Sequence, residues 1–203
     1  MAKIRLSSKL RQEQILDITL EIIAENGLAG VNLSEIAQRV GVVPSALYRH
    51  FENKEALIDA LLDRTHRALT ENIKKITMKS SSSLENLRRL FLMHLELIIK
   101  YPGMPKLVFS DAAVLGSSER KEKIFSIVKT YTDQLSAIVE KGQLEGDIIS
   151  NILPAAVAFS MVSFVQHTAL ISNITEGKVD LSGQAEVAWG YVEKAIRNDR
   201  HSG

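Results

Sequence analysis

The chain has 203 residues, of which 45% are hydrophobic and 24% charged, and its formal net charge at pH 7 is +1. These proportions are ordinary for a folded protein and exclude a disordered or fibrous chain. The chain has no cysteine, which excludes thiol catalysis, thiolate metal sites and a disulfide framework. Because the absence of cysteine fits a reducing compartment and the N-terminus lacks a secretory signal, we expect a cytoplasmic location.

Apolar residues recur at helical spacing along the whole chain, and no alternating run predicts a strand. The sequence therefore predicts an all-α fold of about nine helices. Asn32, Pro44 and Asn53 are expected to begin helices, and Gly27 and Gly41 to end them. The predicted helices cover residues 8–26, 32–41, 44–51, 53–76, 84–100, 104–113, 119–141, 154–172 and 181–198.

Charge is distributed unevenly near the N-terminus. Residues 1–12 carry Lys3, Arg5, Lys9 and Arg11 without an acid, whereas residues 13–55 carry more acids than bases. This basic arm is either a frayed terminus or a segment that contacts phosphate or the minor groove of DNA. A second segment, residues 154–171, lacks charged residues but contains several polar ones, so we predict a helix buried within protein rather than a membrane span.

The segment from Asn32 to Lys54 is the most informative for function. It contains two short predicted helices separated by a turn at Gly41 and Val42, where glycine reverses the backbone without a Cβ penalty. Leu47 and Phe51 are spaced to point together into a small core. The opposite face then presents a tyrosine and an arginine, which is typical of a helix-turn-helix that reads DNA.

Several spaced elements resemble the N-terminal domain of the TetR family of bacterial transcriptional regulators. They are Ile15-Leu16, Gly27, Ile36-Ala37, Gly41-Val42, Leu47-Tyr48-Arg49-His50-Phe51 and Lys54-Glu55-Ala56-Leu57. The resemblance covers about residues 8–60. It implies a three-helix helix-turn-helix domain at residues 1–54, followed at residues 55–203 by a helical domain for effector binding and dimerisation. It also implies a homodimer on a palindromic operator, released by a small molecule.

The resemblance carries over a set of expected DNA contacts. They are Asn32, Ser34, Pro44, Ser45, Ala46, Tyr48, Arg49, His50 and Lys54. Tyr48, His50 and Lys54 match phosphate contacts of the family, whereas Arg49 falls at a variable position that can read a base. Val43-Pro44 replaces more polar residues of many relatives, so direct base readout is expected to be sparse. The three phosphate-contact candidates also have ordinary structural interpretations: Tyr48 as packing, His50 as packing or capping, and Lys54 as a solvated side chain.

The later helices supply two further predictions. One is a dimer interface, because a helix apolar on most sides suits a surface shared with a partner. Its candidates are Ala155, Phe159, Val162, Val165, Val187, Trp189, Tyr191, Val192 and Ile196. The other is a pocket for an apolar or amphipathic effector, although apolar residues at helical spacing more often fill a plain core. These are Met93, His94, Phe109, Phe125, Phe159, Met161, Phe164 and His167.

Other classes of site receive less support. Asp59, Asp63 and His66 share a helical face and could bind a divalent ion, but a solvated charged face is the simpler interpretation. We expect no metal or cofactor.

The sequence contains no nucleophile elbow, metalloprotease motif or phosphate-binding glycine loop, so we expect no enzyme. The alternatives to an effector-controlled repressor are an activator, an architectural DNA-binding protein and an α-helical protein-interaction module.

Overall fold

The computed structural model describes residues 7–77, 82–110, 117–175, 178 and 181–199. Within them the chain forms nine α-helices and one 3₁₀ turn, Leu28–Gly30, which confirms the predicted all-α class. The helices are α1 (Ser8–Asn26), α2 (Leu33–Val40), α3 (Pro44–Leu47), α4 (Lys54–Thr77), α5 (Ser83–Lys100), α6 (Gly103–Phe109), α7 (Ser118–Glu145), α8 (Pro154–Ile174) and α9 (Leu181–Ile196). The basic residues Lys3 and Arg5 lie outside the described residues.

The helices belong to two compact units. The N-terminal unit consists of Met1–Thr65 and Tyr101–Ile124, and the C-terminal unit consists of His66–Lys100 and Phe125–Gly203. The units thus divide the chain elsewhere than at the expected boundary between residues 54 and 55. Helices α4 and α7 each contribute residues to both units, and α6 falls with α1 to α3.

The N-terminal unit is built on a core of fully buried aliphatic side chains. Ile15 and Ile22 of α1, Ile36 of α2, Leu47 of α3 and Leu57 of α4 are each inaccessible to solvent. Helix α6 packs against α1 so closely that Gly103 leaves no room for a side chain beside Leu20. Burial of these branched side chains supplies most of the driving force that holds short helices such as α2 and α3, which are too short to be stable alone.

The C-terminal unit has an aromatic centre. The Phe91 ring of α5 lies 5.8 Å from the Phe164 ring of α8 and 6.0 Å from the Trp189 ring of α9, in tilted pairs. His94 of α5 meets the Tyr131 ring of α7 edge-on at 5.2 Å. Such geometries are favourable for aromatic pairs and link four helices of the bundle.

Helix α8 is buried on one side only. Its inner face contains Val157, Met161, Val165 and Ala169, whereas Phe159, Leu170 and Ile174 on the outer side are exposed. The prediction that this segment is buried on all sides therefore fails for the single chain. Among the described residues, Pro154–Ile174 is also the one helix whose length and apolar composition would let it cross a membrane, a test that core helices pass as well.

Three helix ends differ by four residues from the sequence predictions. Helix α3 ends at Leu47 rather than near Phe51, because the following hydrogen bonds mix three- and four-residue spacings and the backbone continues as turns. Helix α6 ends at Phe109. Helix α7 continues past Gly142 to Glu145. A Cβ atom added to Gly142 would lie 2.6 Å from the Ile148 side chain. Gly142 is thus a packing residue and not a helix stop.

Candidate nucleic-acid interface

The backbone between α2 and α3 is fixed by local hydrogen bonds. The Asn32 side chain accepts a bond of 2.8 Å from the Ser34 amide and caps α2, as predicted. Gly41 adopts a left-handed conformation with φ of 75°, and the Val42 amide donates to the Ala37 carbonyl at 2.9 Å. This arrangement closes the C-terminus of α2 and sets the direction in which the chain enters α3.

The segment from Pro44 to Phe51 separates an inner from an outer face. Leu47 and Phe51 are buried, as their spacing predicts. Tyr48 is 53% exposed, and Pro44, Ser45 and Arg49 are exposed as well. Ala46 and His50 are half-buried at the edges. The outer face therefore offers a phenol hydroxyl, a guanidinium and small residues that allow close approach, a combination suited to phosphate and base contacts.

Lys54 lies in the first turn of the long helix α4. The Asn53 side chain accepts a 2.8 Å bond from the Ala56 amide and confirms the predicted cap. A lysine at the positive end of a helix dipole is unfavourable in isolation, whereas the same position favours an incoming anion. Lys54 is half-buried, and Asn32 and Ser34 are exposed.

The cations of this surface are not equally available. Arg39 forms hydrogen bonds of 2.9 and 2.6 Å to the two carboxylate oxygens of Glu25 and a third, of 2.6 Å, to Glu35. The bonds from Arg39 lower the pKa of the Glu25 carboxyl, and both carboxylates raise the pKa of Arg39. No ion pair within residues 7–77 involves Arg49 or Lys54. Arg49 and Lys54 are thus free to meet phosphate, whereas Arg39 is engaged within the protein.

A second set of ion pairs connects the start of α7 to α4. Arg120, near the start of α7, pairs with Glu55 and lies 4.0 Å from Asp59. Lys123 lies 2.8 Å from Asp63 and donates to the Asp59 carbonyl at 3.2 Å. The aspartates considered as metal ligands are therefore engaged by cations, and the described residues contain no group of three potential ligands for a metal ion.

The sequence does not reveal these pairs, because their members lie far apart in the chain. Glu55 and Arg120 are separated by 65 positions, and neither forms a recognisable motif. The single available signal was the acidic series at Glu55, Asp59 and Asp63, which follows one face of a helix and requires compensation if that face is covered.

Comparison with known proteins agrees with this geometry. A sequence model of the bacterial regulatory proteins of the tetR family matches residues 15–61, which contain α2, α3 and the start of α4. Residues 15–61 are therefore similar to the N-terminal domain of the TetR family of transcriptional regulators. The chain resembles the nucleoid occlusion factor SlmA of Shewanella woodyi, with 28% identity over 197 residues that cover 92% of this chain and 94% of the relative.

Solved structures of TetR-like regulators share the fold over most of the chain. FadR from Bacillus subtilis, in complex with stearoyl-CoA, superposes with a TM-score of 0.73 at 24% identity and covers 91% of this chain and 99% of its own. AibR, in complex with isovaleryl coenzyme A and operator DNA, gives a TM-score of 0.71 at 22% identity over 89% and 97%. These structures establish the TetR fold for both units.

The residues predicted for dimerisation fall into two groups in this TetR fold. Ala155, Phe159, Val187 and Tyr191 are exposed, and Val192 is half-buried. Val162, Val165, Trp189 and Ile196 are buried inside the C-terminal unit. The exposed members belong to α8 and α9, two helices that pack against each other.

The residues predicted for an effector pocket are likewise spread over different environments. His94 and Met161 are buried, and Met93 is half-buried. Phe125, Phe159, Phe164 and His167 are exposed, and Phe109, also exposed, belongs to the N-terminal unit. Burial lowers the pKa of His94 to about 4 and raises the pKa of the neighbouring Tyr131 hydroxyl. Both side chains are therefore neutral near pH 7.

Proposed function

We propose that the protein is a homodimeric cytoplasmic regulator that binds a palindromic operator and represses transcription until a small effector binds. The observation that carries this proposal is the outward face of Tyr48 and Arg49, with Lys54 at the first turn of α4, in a domain of the TetR family. Ser45 and Ala46 would allow close approach to base edges, and Tyr48, His50 and Lys54 would bind phosphate. Asn32, Ser34 and Pro44 complete the proposed contact surface.

Dimerisation is supported by the outer faces of α8 and α9. Phe159 is 66% exposed and Tyr191 71% exposed, with Val187 and Leu170 exposed as well. Apolar side chains of this size on two adjacent helices form a surface that water solvates poorly, and a two-fold partner presenting the same surface would bury it. The two helix-turn-helix units of the dimer, its reading heads, would then lie about 34–36 Å apart on one face of DNA.

Control by an effector is supported by the C-terminal unit and by its structural neighbours. The predicted effector is apolar or amphipathic, and acyl-CoA thioesters, which occupy FadR of Bacillus subtilis and AibR, have that chemistry. We propose an acyl-CoA as the first class to test. Because α4 contributes to both units, a ligand that prefers another arrangement of the C-terminal unit would weaken DNA binding. The free energy by which the ligand weakens DNA binding equals the free energy by which DNA weakens ligand binding.

A second candidate function follows from the curated relatives. One relative that is similar to this chain beyond the DNA-binding domain is the nucleoid occlusion factor SlmA of Shewanella woodyi. The name of that relative refers to the nucleoid, and this likeness favours the architectural DNA-binding alternative. The chain lacks the motifs of the enzyme classes considered, so neither candidate includes catalysis.

A three-step binding experiment distinguishes these candidates. Fragmented genomic DNA is first selected with the purified protein, and the recovered duplexes are sequenced for an inverted repeat. The affinity for the recovered duplex is then measured with and without saturating stearoyl-CoA and isovaleryl-CoA. Release by either thioester supports the effector-controlled regulator, unchanged affinity favours the architectural protein, and recovery of no duplex contradicts both.

A further inference from the structure

Two arginines of the N-terminal unit have little of their side chains exposed, one within α4 and one packed against it, and the DNA-reading face uses neither of them. Arg64 of α4 pairs with Asp17 of α1 and covers the Tyr101 ring, with its guanidinium carbon 4.8 Å from the ring centroid. Arg120 of α7 has only 11% of its side chain exposed. Arginines with so little exposure are retained when their charge is matched by a specific partner.

The partner of Arg120 is the first turn of α4. Its Nη2 group donates to Oε2 of Glu55, the residue next to Lys54, and its Nε lies 4.0 Å from Asp59 one turn further along. The Nε group is buried and makes no hydrogen bond. The guanidinium is therefore held mainly through the carboxylate of Glu55, and any movement of Arg120 would act on the turn that carries Lys54.

The position of Arg120 is itself fixed locally. The side chain of Ser117 accepts a 3.3 Å bond from the Arg120 amide and caps α7. One turn later, Lys123 extends the same contact by donating to the Asp59 carbonyl and pairing with Asp63. The start of α7 thus contacts α4 along two turns, through cations on one helix and acceptors on the other.

We infer that Arg120 is a positioning residue for DNA binding, because its ion pair with Glu55 holds the first turn of α4, and with it Lys54, in place for a phosphate. The pair also neutralises a carboxylate that would otherwise face the same phosphate from the position next to Lys54. This inference rests on the proposed function. Arg120 lies far outside the helix-turn-helix, and yet it would contribute to the affinity of the reading head for DNA.

Substitution of Arg120 by glutamine, compared with wild type, tests this inference on the full-length protein and the genomic duplex recovered by selection. The matched control is Arg88→Gln, which removes an arginine paired with Glu186 in the C-terminal unit. We expect R120Q to weaken binding about 5- to 30-fold, since a modest ion-pair energy is removed from each of two heads. R120K should restore most of the affinity, and R88Q should leave it unchanged.

Two readouts separate positioning from direct contact or a general loss of stability. The slope of log affinity against log salt should be the same for R120Q and wild type; a slope smaller by about 0.9 per head would mean that Arg120 itself binds phosphate and would overturn the inference. In a double-mutant cycle, Glu55→Gln should cost less affinity in the R120Q background than in wild type. Additive effects would equally overturn it.

A measurement without DNA distinguishes failure of this inference from failure of the proposed function. Amide hydrogen exchange in the first turn of α4 should accelerate several-fold in R120Q and remain at the wild-type rate in R88Q. If exchange changes as expected but the wild-type protein recovers no duplex, Arg120 holds α4 and the DNA-binding function fails. If the wild type binds its duplex but exchange and affinity are unchanged in R120Q, the function stands and the inference fails.

Discussion

Gly103, the first residue of α6, lies against the backbone of Leu20 in α1, and a Cβ atom added to it would be 2.1 Å from the Leu20 carbonyl oxygen. The side chain of Lys106, one turn later, donates to the Ala24 carbonyl near the end of α1. Helix α1 has no basic residue in its own last turn, so Lys106 supplies the cation that its carbonyl end favours. The two residues hold α6 and α1 together within the N-terminal unit.

We predict that Gly103→Ala lowers the free energy of unfolding by about 1–3 kcal/mol, because the obstacle is main-chain oxygen that cannot rotate away. The measurement is urea unfolding followed by circular dichroism. Gly190→Ala in α9 is the control, since a Cβ there has no neighbour within 4 Å. Alanine in that helix should be neutral or stabilising by up to about 1 kcal/mol. Equal stability of G103A and wild type would show that α6 can move away from α1 without cost.

How far the sequence predicts the fold follows from the range of the interactions involved. Asn32, Pro44 and Asn53 act on the backbone within a turn of themselves, so the starts of their helices were predicted correctly. The same local rules predicted that the helix would end at residue 141, before Gly142, but a glycine is required there because Ile148 and Ser83 pack against it. Local patterns contain no information on such packing.

The DNA-reading face also has some features that local spacing predicts and others that depend on contacts between distant residues. The burial of Leu47 and Phe51 and the exposure of Tyr48 follow from helical spacing and were predicted from it. Spacing cannot reveal which cations are already paired. Arg39 and Arg49 look alike in the sequence, yet the guanidinium of Arg39 is held by Glu25, 14 positions away, and by Glu35.

That difference predicts distinct salt dependences for DNA binding. Lys54→Ala should reduce the slope of log affinity against log salt by about 1.8 for the dimer, which is about 0.9 for each phosphate that the variant leaves without its lysine. Arg39→Ala should leave the slope unchanged, because its charge is balanced within the protein. The slope is measured by fluorescence anisotropy of the selected duplex over a series of salt concentrations. A reduced slope in R39A would mean that the Glu25 pairing breaks on DNA.

The buried histidine predicts a pH dependence of stability. Burial depresses the pKa of His94 from 6.5 to about 4. Below pH 6.5 the unfolded chain takes up a proton that the folded chain does not, so stability falls as the pH falls from 6.5 to 4, by about 3 kcal/mol in total. Above pH 6.5 both states are neutral at this ring and its contribution to the pH dependence vanishes.

Replacement of His94 tests that prediction through the slope of stability against pH rather than through absolute stability. The slope between pH 6.5 and 4 should decrease by about one proton, or about 1.4 kcal/mol per pH unit, in His94→Leu. Urea unfolding at each pH provides the free energies. His167→Gln, which alters an exposed histidine on α8, should keep the wild-type slope. If His94→Leu also keeps it, His94 is protonated inside the folded bundle.

The outer faces of α8 and α9 predict where a single charge prevents self-association. Tyr191→Glu places a carboxylate at a side chain that is 71% exposed in the single chain and that a dimer would bury. Desolvating an unpaired charge costs several kcal/mol, and two-fold symmetry applies this cost to both copies, so we expect a monomer at micromolar concentration in sedimentation velocity. Because the residue is solvated before association, the unfolding free energy of the monomer should change little.

A second aromatic of equal exposure supplies the control for Tyr191→Glu. Phe125 of α7 is 67% exposed and lies outside α8 and α9, so Phe125→Glu should sediment as the wild-type dimer. The two variants carry the same added charge on similarly exposed rings, which removes net charge as an explanation for any difference. Dissociation by F125E with retention of the dimer in Y191E would place the interface on α7. A wild-type protein that sediments as a monomer would contradict the two-fold arrangement and, with it, the spacing that a palindromic operator requires.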